Sequence, residues 1–264
     1  MSVELRRPAP LPPPSSLRVE PWGDVPGLVH GFFGRAGGVG QGELGGLNVS
    51  DRVGDADAHV AANWNLVRQA LPGLAFARMQ QVHGTRVVQV SSADQDVGEA
   101  DGLITNRAGV GLTVLTADCV PILGVASGAG AVMAVHAGWR GSLAGVVATA
   151  LTAAREAFGI PATAWRIALG PSVGGCCYEV EAELGARFVQ RWGSMPDAWQ
   201  PAATRGKLDL RRVNMGILIE QGVAAERISS VGPCTACASA EYFSHRRSAG
   251  RAGRQVSAIG FSAA

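Results

Sequence analysis

Four apolar segments crowd into residues 100–136, and this crowding constrains the fold more than any other feature of the chain. The segments are ADGLIT, VGLTVLT, VPILGVA and AVMAVH, and they follow one another closely. Short runs rich in Val, Ile and Leu are typical of buried strands. Because these strands cluster instead of alternating with helices, we predict an α+β domain with mixed β-sheets flanked by helices, not a doubly wound parallel sheet.

Periodic apolar positions and capping residues predict helices on either side of this strand-rich region. The predicted helices are 57–71, 142–158, 179–192 and 209–222. Ser142 and Asp209 suit the N-cap position, and Gly159 suits the position after a helix. Further strands are predicted at 76–90, as a hairpin turning at Gly84, at 165–171, and as a closing pair in ERISSVG and RQVSAIGF.

Length and composition indicate one well-filled domain. The chain has 264 residues, of which 47% are hydrophobic and 17% charged, and a net charge of +2 that suggests neither a nucleic-acid nor a membrane surface. Five prolines between Pro8 and Pro14 predict a disordered tail over 1–20, which leaves 21–264 as a single domain. The apolar stretch 110–136 is interrupted by Asp118 and glycines, so it does not suit a membrane span. An odd number of cysteines, five, favours a reducing, cytoplasmic location.

Three segments carry His or Cys beside glycine-rich turns, and together they predict a metal site. The motifs QVHG, TADC and VHAGWRG contribute His83, Cys119 and His136. One thiolate and two imidazoles suit Zn²⁺, and three protein ligands leave a fourth position open, which is typical of catalytic zinc. Taken singly, Cys119 is better explained as a small buried hydrophobe and His136 as a core imidazole, but the three together favour a site. Asp118, beside the thiol, is the candidate for moving a proton.

Two basic segments each permit two interpretations. In HAGWRG, Arg140 and the backbone before a long helix form either a phosphate-binding turn or an ordinary turn with a solvated arginine. In YFSHRRSAGRAGRQ, the residues His245, Arg246 and Arg247 form either an anion clamp or a solvated basic turn, and the turn is the simpler interpretation.

Four further cysteines occur in two short segments. Cys176 and Cys177 are adjacent, and Cys234 and Cys237 form a C-x-x-C pair. A four-cysteine zinc site is one interpretation, but adjacent cysteines rarely ligate one ion together and a second C-x-x-C is absent. A redox motif is another, although no helix clearly begins at Cys234. Unligated thiols are the favoured interpretation.

Read in order, these motifs resemble the YfiH-like, laccase-domain-containing family, whose members are also called polyphenol-oxidase-like proteins or peptidoglycan editing factors. The matching segments cover nearly the whole chain from about Gly31 to Phe261, and the joint presence of TADC, HAGWRG and QVHG is highly specific. The resemblance implies a single catalytic domain with α/β/β/α layers, and it places the family's metal ligands on His83, Cys119 and His136.

The resemblance also implies purine nucleoside chemistry: phosphorolysis of adenosine, inosine and methylthioadenosine, and deamination of adenosine. Arg35 and Asn48 resemble the family's nucleoside-contacting positions. The chain departs from the family pattern at Trp64, where an arginine is expected, and at Ser172, where a cysteine is expected. The first departure bears on a substrate contact, and the second removes a thiol from that turn.

Four functions compete at this stage. The first is a zinc-dependent enzyme acting on purine nucleosides and phosphate, with Arg140 holding the phosphate, working as a monomer without nucleic acid or membrane. The second is a cysteine-type amidase that edits peptidoglycan precursors, with Cys119 as nucleophile and His136 or His83 as its base. The third is a copper polyphenol oxidase, for which few histidines remain. The fourth is a binding module without a reactive centre.

Overall fold

The computed structural model describes residues 14–93 and 95–263, and this part of the chain folds into three β-sheets and five α-helices. The strands are β1 (Ser16–Leu17), β2 (Leu28–Phe33), β3 (Ala75–Gln80), β4 (Val87–Gln89), β5 (Asp96–Glu99), β6 (Gly102–Thr105), β7 (Val110–Thr116), β8 (Val120–Ala126), β9 (Ala131–Ala137), β10 (Arg166–Leu169), β11 (Glu179–Glu181), β12 (Trp199–Gln200), β13 (Arg205–Leu208), β14 (Ile228–Ser230) and β15 (Gln255–Phe261). The helices are α1 (Asp57–Ala70), α2 (Trp139–Ala144), α3 (Val146–Phe158), α4 (Ala182–Trp192) and α5 (Leu210–Glu220).

Two six-stranded sheets form the body of the domain. The first sheet has the order β1-β2-β15-β7-β3-β5, and the second has the order β14-β10-β8-β9-β6-β4. Both sheets are mixed, because each combines antiparallel pairs with parallel ones such as β3 with β7 and β4 with β6. The third sheet is small and antiparallel, with the order β11-β13-β12. The predicted mixture of sheets is confirmed.

The sheets and helices stack as four layers, α/β/β/α, as the resemblance implies. Strand β9 shows why: Val132 and Ala134 pack between the two sheets, whereas Met133 and Val135 pack beneath α3 and α5. A strand with both faces covered reads as a continuous apolar run, because neither alternate set of side chains meets water. On the far side, α1 covers the outer face of the first sheet through Val67 and its neighbours.

The helix predicted over 142–158 is divided into two. Gly145 adopts φ +87°, a left-handed conformation that ends α2 and begins α3. Ser142 therefore lies inside α2 instead of capping it, and Gly138 occupies the N-cap position. The other two predicted caps are confirmed, because Asp209 accepts hydrogen bonds from Arg211 N and Arg212 N, and Gly159 follows α3 with φ +70°.

The hairpin predicted over 76–90 is wrong, because its two halves belong to different sheets. Strand β3 lies in the first sheet and β4 at the edge of the second, so the segment around Gly84 crosses from one sheet to the other. The closing pair is divided in the same way between β14 and β15. Local sequence encodes each strand, but partner choice depends on packing that is remote in the chain.

The predicted tail extends too far along the chain. Residues 1–13 lie outside the described residues, but Ser16 and Leu17 pair with Phe33 and Phe32, and Val19 is buried. The segment therefore belongs to the edge of the first sheet from Ser16 onward. Within the described part of the chain, no helix has the length and apolar character needed to cross a membrane.

Candidate metal centre and cavity

The β8–β9 ladder brings the candidate thiol and one candidate imidazole together. The two strands pair antiparallel in a register that sets Pro121 opposite His136 and Val120 opposite Ala137. Cys119 immediately precedes β8, so it meets the end of β9 where His136 lies. His136 shares its strand face with Val132 and Ala134 and therefore faces the space between the sheets. The ladder thus explains how residues 17 positions apart converge.

The third candidate, His83, arrives on the segment that crosses between the sheets, and Asp101 holds it there. The buried Asp101 carboxylate accepts hydrogen bonds from the backbone N–H groups of Val82, His83 and Gly84, at 3.2, 2.9 and 2.6 Å. His83 adopts φ +61°, an uncommon conformation for a residue with a side chain. The ligand atoms of His83, Cys119 and His136 lie within 4.8 Å of one another. We call this group the His-Cys-His cluster.

Asp101 also orients the imidazole of His136. The sequence analysis did not identify Asp101 as a site residue. Its Oδ1 lies 2.8 Å from His136 Nδ1, and its backbone carbonyl accepts from His136 N. A carboxylate bound to one ring nitrogen leaves the other free to bind a metal and fixes the tautomer that does so. Asp101 lies at the start of a strand segment, ADGLIT, with no local signal for this role; only the β6–β9 pairing brings it beside His136.

The backbone at Gly138 makes room for the cluster. A Cβ atom at this position would lie 2.6 Å from His83 Nδ1 and 3.0 Å from Cys119 Sγ, both closer than van der Waals contact. The glycine of HAGWRG therefore allows the chain to pass directly beside the ligand atoms. Any larger residue would occupy the space in which a metal ion would be held.

The charges within the cluster favour a thiolate. Burial raises the pKa of Cys119, but the charge and hydrogen bonds of His136, together with His83, outweigh this and lower it to about 6. Burial lowers the pKa of His136, but Cys119 and Asp101 outweigh this and raise it to about 9. Burial likewise raises the pKa of Asp101, yet its hydrogen bonds from His136 and Gly84 leave it below its usual value. At neutral pH these shifts favour a Cys119 thiolate paired with a protonated His136. A metal ion bound here would take the place of the His136 proton, because metals bind the thiolate and the neutral imidazole.

The cluster lies in a cavity of about 1230 Å³, more than large enough for a nucleoside-sized ligand. The cavity wall combines apolar and aromatic side chains such as Trp64, Met79 and Tyr178 with cationic ones. Arg140 is exposed at this wall; its guanidinium stacks 4.5 Å from the Trp139 ring and makes no hydrogen bond or ion pair with the described residues. Arg140 therefore brings N–H donors to the cavity wall that no described residue uses.

Arg246 and Arg254 also line this cavity, although the sequence favoured a solvated turn for Arg246. The Arg246 guanidinium stacks 5.0 Å from the Tyr178 ring and donates to Glu179 O. Burial lowers the pKa of Arg254, and the nearby Cys119 and Asp118 oppose that shift. The loop 242–255 therefore contributes to the cavity wall. In the sequence, only its run of arginines indicated a possible role in binding an anion.

Asp118 lines the cavity but is also tied to two neighbouring loops. It adopts φ +93°, and its carboxylate accepts from Thr235 Oγ1 and from Arg246 N, each at 2.6 Å. Its backbone carbonyl accepts from Val173 N at 2.9 Å. The residue predicted to move a proton thus joins the loops around the cavity as well.

Arg35 and Asn48 are not among the residues that line the cavity. The Arg35 guanidinium donates to Gly45 O and Ser239 O and lies 4.7 Å from the Phe243 ring. The buried Asn48 amide donates to Ser50 O and Asp55 Oδ2 and accepts from Ser50 N and Arg254 N. Both side chains are hydrogen-bonded within the protein, and a nucleoside contact at Arg35 and Asn48 stays a prediction of the resemblance.

The structure explains why this chain has Asn63 followed by Trp64, where the family pattern has arginine after the asparagine. Asn63 is buried and binds Val39 N, Gly46 O and Asn48 O, so it fastens the glycine-rich loop to α1. Trp64 donates its Nε1–H to Val49 O, packs 6.0 Å from the Phe76 ring and lines the cavity as a buried side chain. An aromatic side chain thus lines the cavity where the family pattern predicts a cation.

Comparison with known proteins agrees with this architecture. The model of the family described as "Multi-copper polyphenol oxidoreductase laccase" matches residues 29–262. A purine nucleoside phosphorylase, YlmD, from Geobacillus stearothermophilus is 34% identical over 89% of this chain and 90% of its own length. A purine nucleoside phosphorylase from Deinococcus radiodurans is 36% identical over 88% of this chain and 89% of its own.

A protein named adenosine deaminase, from an unknown prokaryotic organism, is 34% identical over 83% of this chain and 88% of its own length. Among solved structures, YlmD from Geobacillus stearothermophilus superimposes with a TM-score of 0.85 at 32% identity, over 90% of this chain and 93% of that one. YfiH from Bacillus licheniformis has a TM-score of 0.87 at 27% identity, over 94% and 97%. The three relatives compared by sequence carry the names of enzymes, in agreement with the expectation of an enzyme.

Proposed function

The chain belongs to the family described as multi-copper polyphenol oxidoreductase laccase, and on that premise we propose that it is a zinc-dependent enzyme of purine nucleosides. Its reactions are the phosphorolysis of adenosine, inosine and methylthioadenosine and the deamination of adenosine. The observation that carries the proposal is the His-Cys-His cluster, oriented by Asp101, on the wall of a cavity that has room for a nucleoside and is also lined by Arg140. The names of the relatives supply the substrate class.

The donor set suits zinc better than a multinuclear copper centre. One thiolate with two imidazoles and an open position is a common catalytic zinc arrangement. A multi-copper site needs several further imidazoles, but His30 and His59 are not among the cavity-lining residues and only His245 shares the cavity with the cluster. His30 instead accepts a hydrogen bond from Val19 N, and His59 pairs with Asp55.

Zinc held by His83, Cys119 and His136 would supply a Lewis acid and lower the pKa of a water molecule toward neutrality. The protein's own part is to position the reactants. Arg140 offers charge-assisted hydrogen bonds to phosphate, and the positive charges of Arg246 and Arg254 on the same wall attract the anion. Trp64 and Tyr178 offer aromatic faces against which a purine can stack. Asp118 is the proposed carrier of the proton that a leaving base or leaving ammonia requires.

Product analysis with and without metal tests this function. Purified protein is incubated with adenosine, with or without phosphate, before chelation, after chelation, and after zinc is restored. We expect adenine only when phosphate is present, inosine with or without it, and both to vanish on chelation and return with zinc. Absence of all these products from the zinc-loaded protein would contradict the proposal.

Arg140→Gln separates the two reactions. Because phosphate takes part in phosphorolysis but not in deamination, losing one charge-assisted hydrogen bond of roughly 1.5–3 kcal/mol should raise the KM for phosphate about 10–100-fold. Deamination of adenosine should change little. Equal loss of both activities would show that Arg140 does not serve phosphate.

A cysteine amidase acting on cell-wall precursors is the second candidate, and one observation favours it. Asp101, His136 and Cys119 lie in the order orienting group, base and nucleophile, as in hydrolases that attack with a thiol. Chelation distinguishes the candidates, because it should abolish zinc catalysis but leave a cysteine amidase active. Both depend on Cys119, so its replacement alone does not separate them. The odd cysteine count and reduced thiols accord with a proposed cytoplasmic location for either activity.

A further inference from the structure

Four cysteines that the proposed function leaves unused converge beside the cavity. We call Cys176, Cys177, Cys234 and Cys237 the cysteine cluster. Their sulfur atoms all lie within 4.8 Å of one another, and all four are free thiols. The Cys237 sulfur lies 3.7 Å from that of Cys176 and 3.4 Å from that of Cys177. The two adjacent cysteines therefore point to one place, which their sequence spacing did not indicate.

These distances match thiolates around one metal ion. Metal–sulfur bonds of 2.3 Å in a tetrahedron place the sulfurs about 3.8 Å apart. A disulfide requires about 2.05 Å, well below the sulfur separations found here. Four sulfurs without a fifth donor form the closed set typical of structural zinc, in contrast to the open set of the His-Cys-His cluster.

The local backbone explains how adjacent cysteines share this point. Cys177 N and Tyr178 N both donate to Gly174 O, which makes a tight turn that gathers Cys176 and Cys177. The second loop lies alongside, because Thr235 N donates to Ser172 O and Cys234 forms a bridge with Ser172. The two loops, 172–178 and 234–238, therefore meet at the cysteine cluster although they lie about sixty residues apart.

One backbone N–H group and two arginines lie beside the cysteine cluster. The Gly174 N–H donates to Cys234 Sγ at 3.3 Å, the kind of backbone bond that supports a metal-bound thiolate. Arg247 donates to Ala236 O within the C-x-x-C loop, and the Arg211 guanidinium donates to Gly232 O and lies near Gly174. Four thiolates with one divalent ion carry two negative charges, which these arginines offset.

We propose that the cysteine cluster is a structural zinc site that fastens loop 172–178 to loop 234–238. Each loop carries a group of the cavity: Tyr178 lines the wall, and Thr235 donates to Asp118. Zinc at the cysteine cluster thus holds the cavity wall in place without contacting the substrate. Zinc binding releases the protons of the cysteine thiols to solvent and involves no oxidation.

Zinc counting with paired variants tests the site. Protein purified with Zn²⁺ is analysed for zinc per chain by mass spectrometry, as wild type, Cys119→Ser and Cys237→Ser. We expect two zinc ions in the wild type and one in each variant. A Cys237→Ser protein that holds as much zinc as the wild type would overturn this proposal. A Cys119→Ser protein that does so would instead overturn the zinc of the proposed function, so the two failures are distinguishable.

Two measurements do not depend on the folding of Cys237→Ser. X-ray absorption of zinc-loaded Cys119→Ser should show four sulfur neighbours at about 2.3 Å, and any nitrogen or oxygen neighbour in that shell would contradict the site. Anomalous diffraction from wild-type crystals at the zinc edge should give a peak among the four sulfurs. A disulfide joining any two of these cysteines in zinc-loaded protein would also overturn the proposal.

Discussion

The two sulfur-containing clusters differ in what surrounds them, although both unite residues far apart in sequence. In the His-Cys-His cluster, Cys119 lies beside two imidazoles at the end of the β8–β9 ladder. The Asp101 carboxylate accepts a hydrogen bond from His83 N and lies within hydrogen-bonding distance of His136 Nδ1. In the cysteine cluster, four thiols meet between two loops, the Gly174 N–H donates to Cys234 Sγ, and Arg247 donates to Ala236 O beside them. The first lies at the end of the β8–β9 ladder and opens into a cavity. The second joins two loops and is closed by its own ligands.

The difference shows two features that distinguish a catalytic metal site from a structural one: the number of protein ligands and how firmly the surrounding residues hold them. An open coordination position is useful only where substrates can reach it, and it needs ligands held firmly enough to leave that position empty. A closed site requires no cavity, but it stabilises whatever loops supply its ligands. We therefore expect a substitution in the His-Cys-His cluster to affect mainly activity, and an equivalent substitution in the cysteine cluster to affect mainly stability.

The largest difference should follow replacement of one cysteine in each cluster. Cys119→Ser removes a ligand of the proposed catalytic metal, whose several kcal/mol of transition-state stabilisation correspond to roughly a 10³-fold fall in kcat/KM for adenosine. Cys237→Ser should instead lower Tm by on the order of 5–10 °C, with a much smaller change in kcat/KM. Steady-state kinetics and calorimetry on both variants check this. A comparison in which both variants lose activity equally would break the distinction.

Asp101→Asn should produce the next largest effect. Asn keeps one acceptor oxygen but loses the carboxylate charge that orients His136 and receives three backbone N–H groups. We expect zinc affinity at the His-Cys-His cluster to fall about 10–100-fold, since outer-shell partners of a ligand typically contribute this much. Competition with a chromophoric chelator measures it. Zinc at the cysteine cluster should be retained, and its loss would indicate general unfolding.

A glycine beside each cluster offers a matched pair of variants. Gly138→Ala places a methyl group 2.6 Å from His83 Nδ1, so the ligands must shift and metal affinity should fall about tenfold. Gly174→Ala meets its nearest neighbours, Cys176 Sγ and Cys234 Cβ, at an ordinary 3.5 Å. It should change zinc content and Tm little. Equal tolerance of both alanines would show that Gly138 does not shape the metal centre.

The smallest effect distinguishes the two roles of Asp118. Asp118→Asn should lower kcat several-fold more than Thr235→Val if the carboxylate carries a proton, because Thr235→Val removes only one of its hydrogen bonds. Steady-state kinetics on the two variants measure the difference. Matching kcat values in the two variants would assign Asp118 a positioning role alone.

Much of the site was predictable because its signals are local. His83 and His136 lie beside glycine turns that mark close backbone approach, and Cys119 follows a polar residue at the end of an apolar strand. The strand-rich region and the caps at Asp209 and Gly159 follow from short-range propensity and hydrogen bonding. Asp101 had no comparable signal, because its role depends on strand β6 pairing with β9.

The sequence by itself therefore determined the class of the fold, the separate strands and the three candidate ligands, since burial pattern and turn chemistry act over a few residues. Tertiary structure alone decided which sheet received each half of the supposed hairpin, that Asp101 supports both histidines, that Arg35 and Asn48 bind the protein's own groups, and that four scattered cysteines meet. These outcomes depend on pairing and packing between segments far apart in the chain, and no local pattern carries that information.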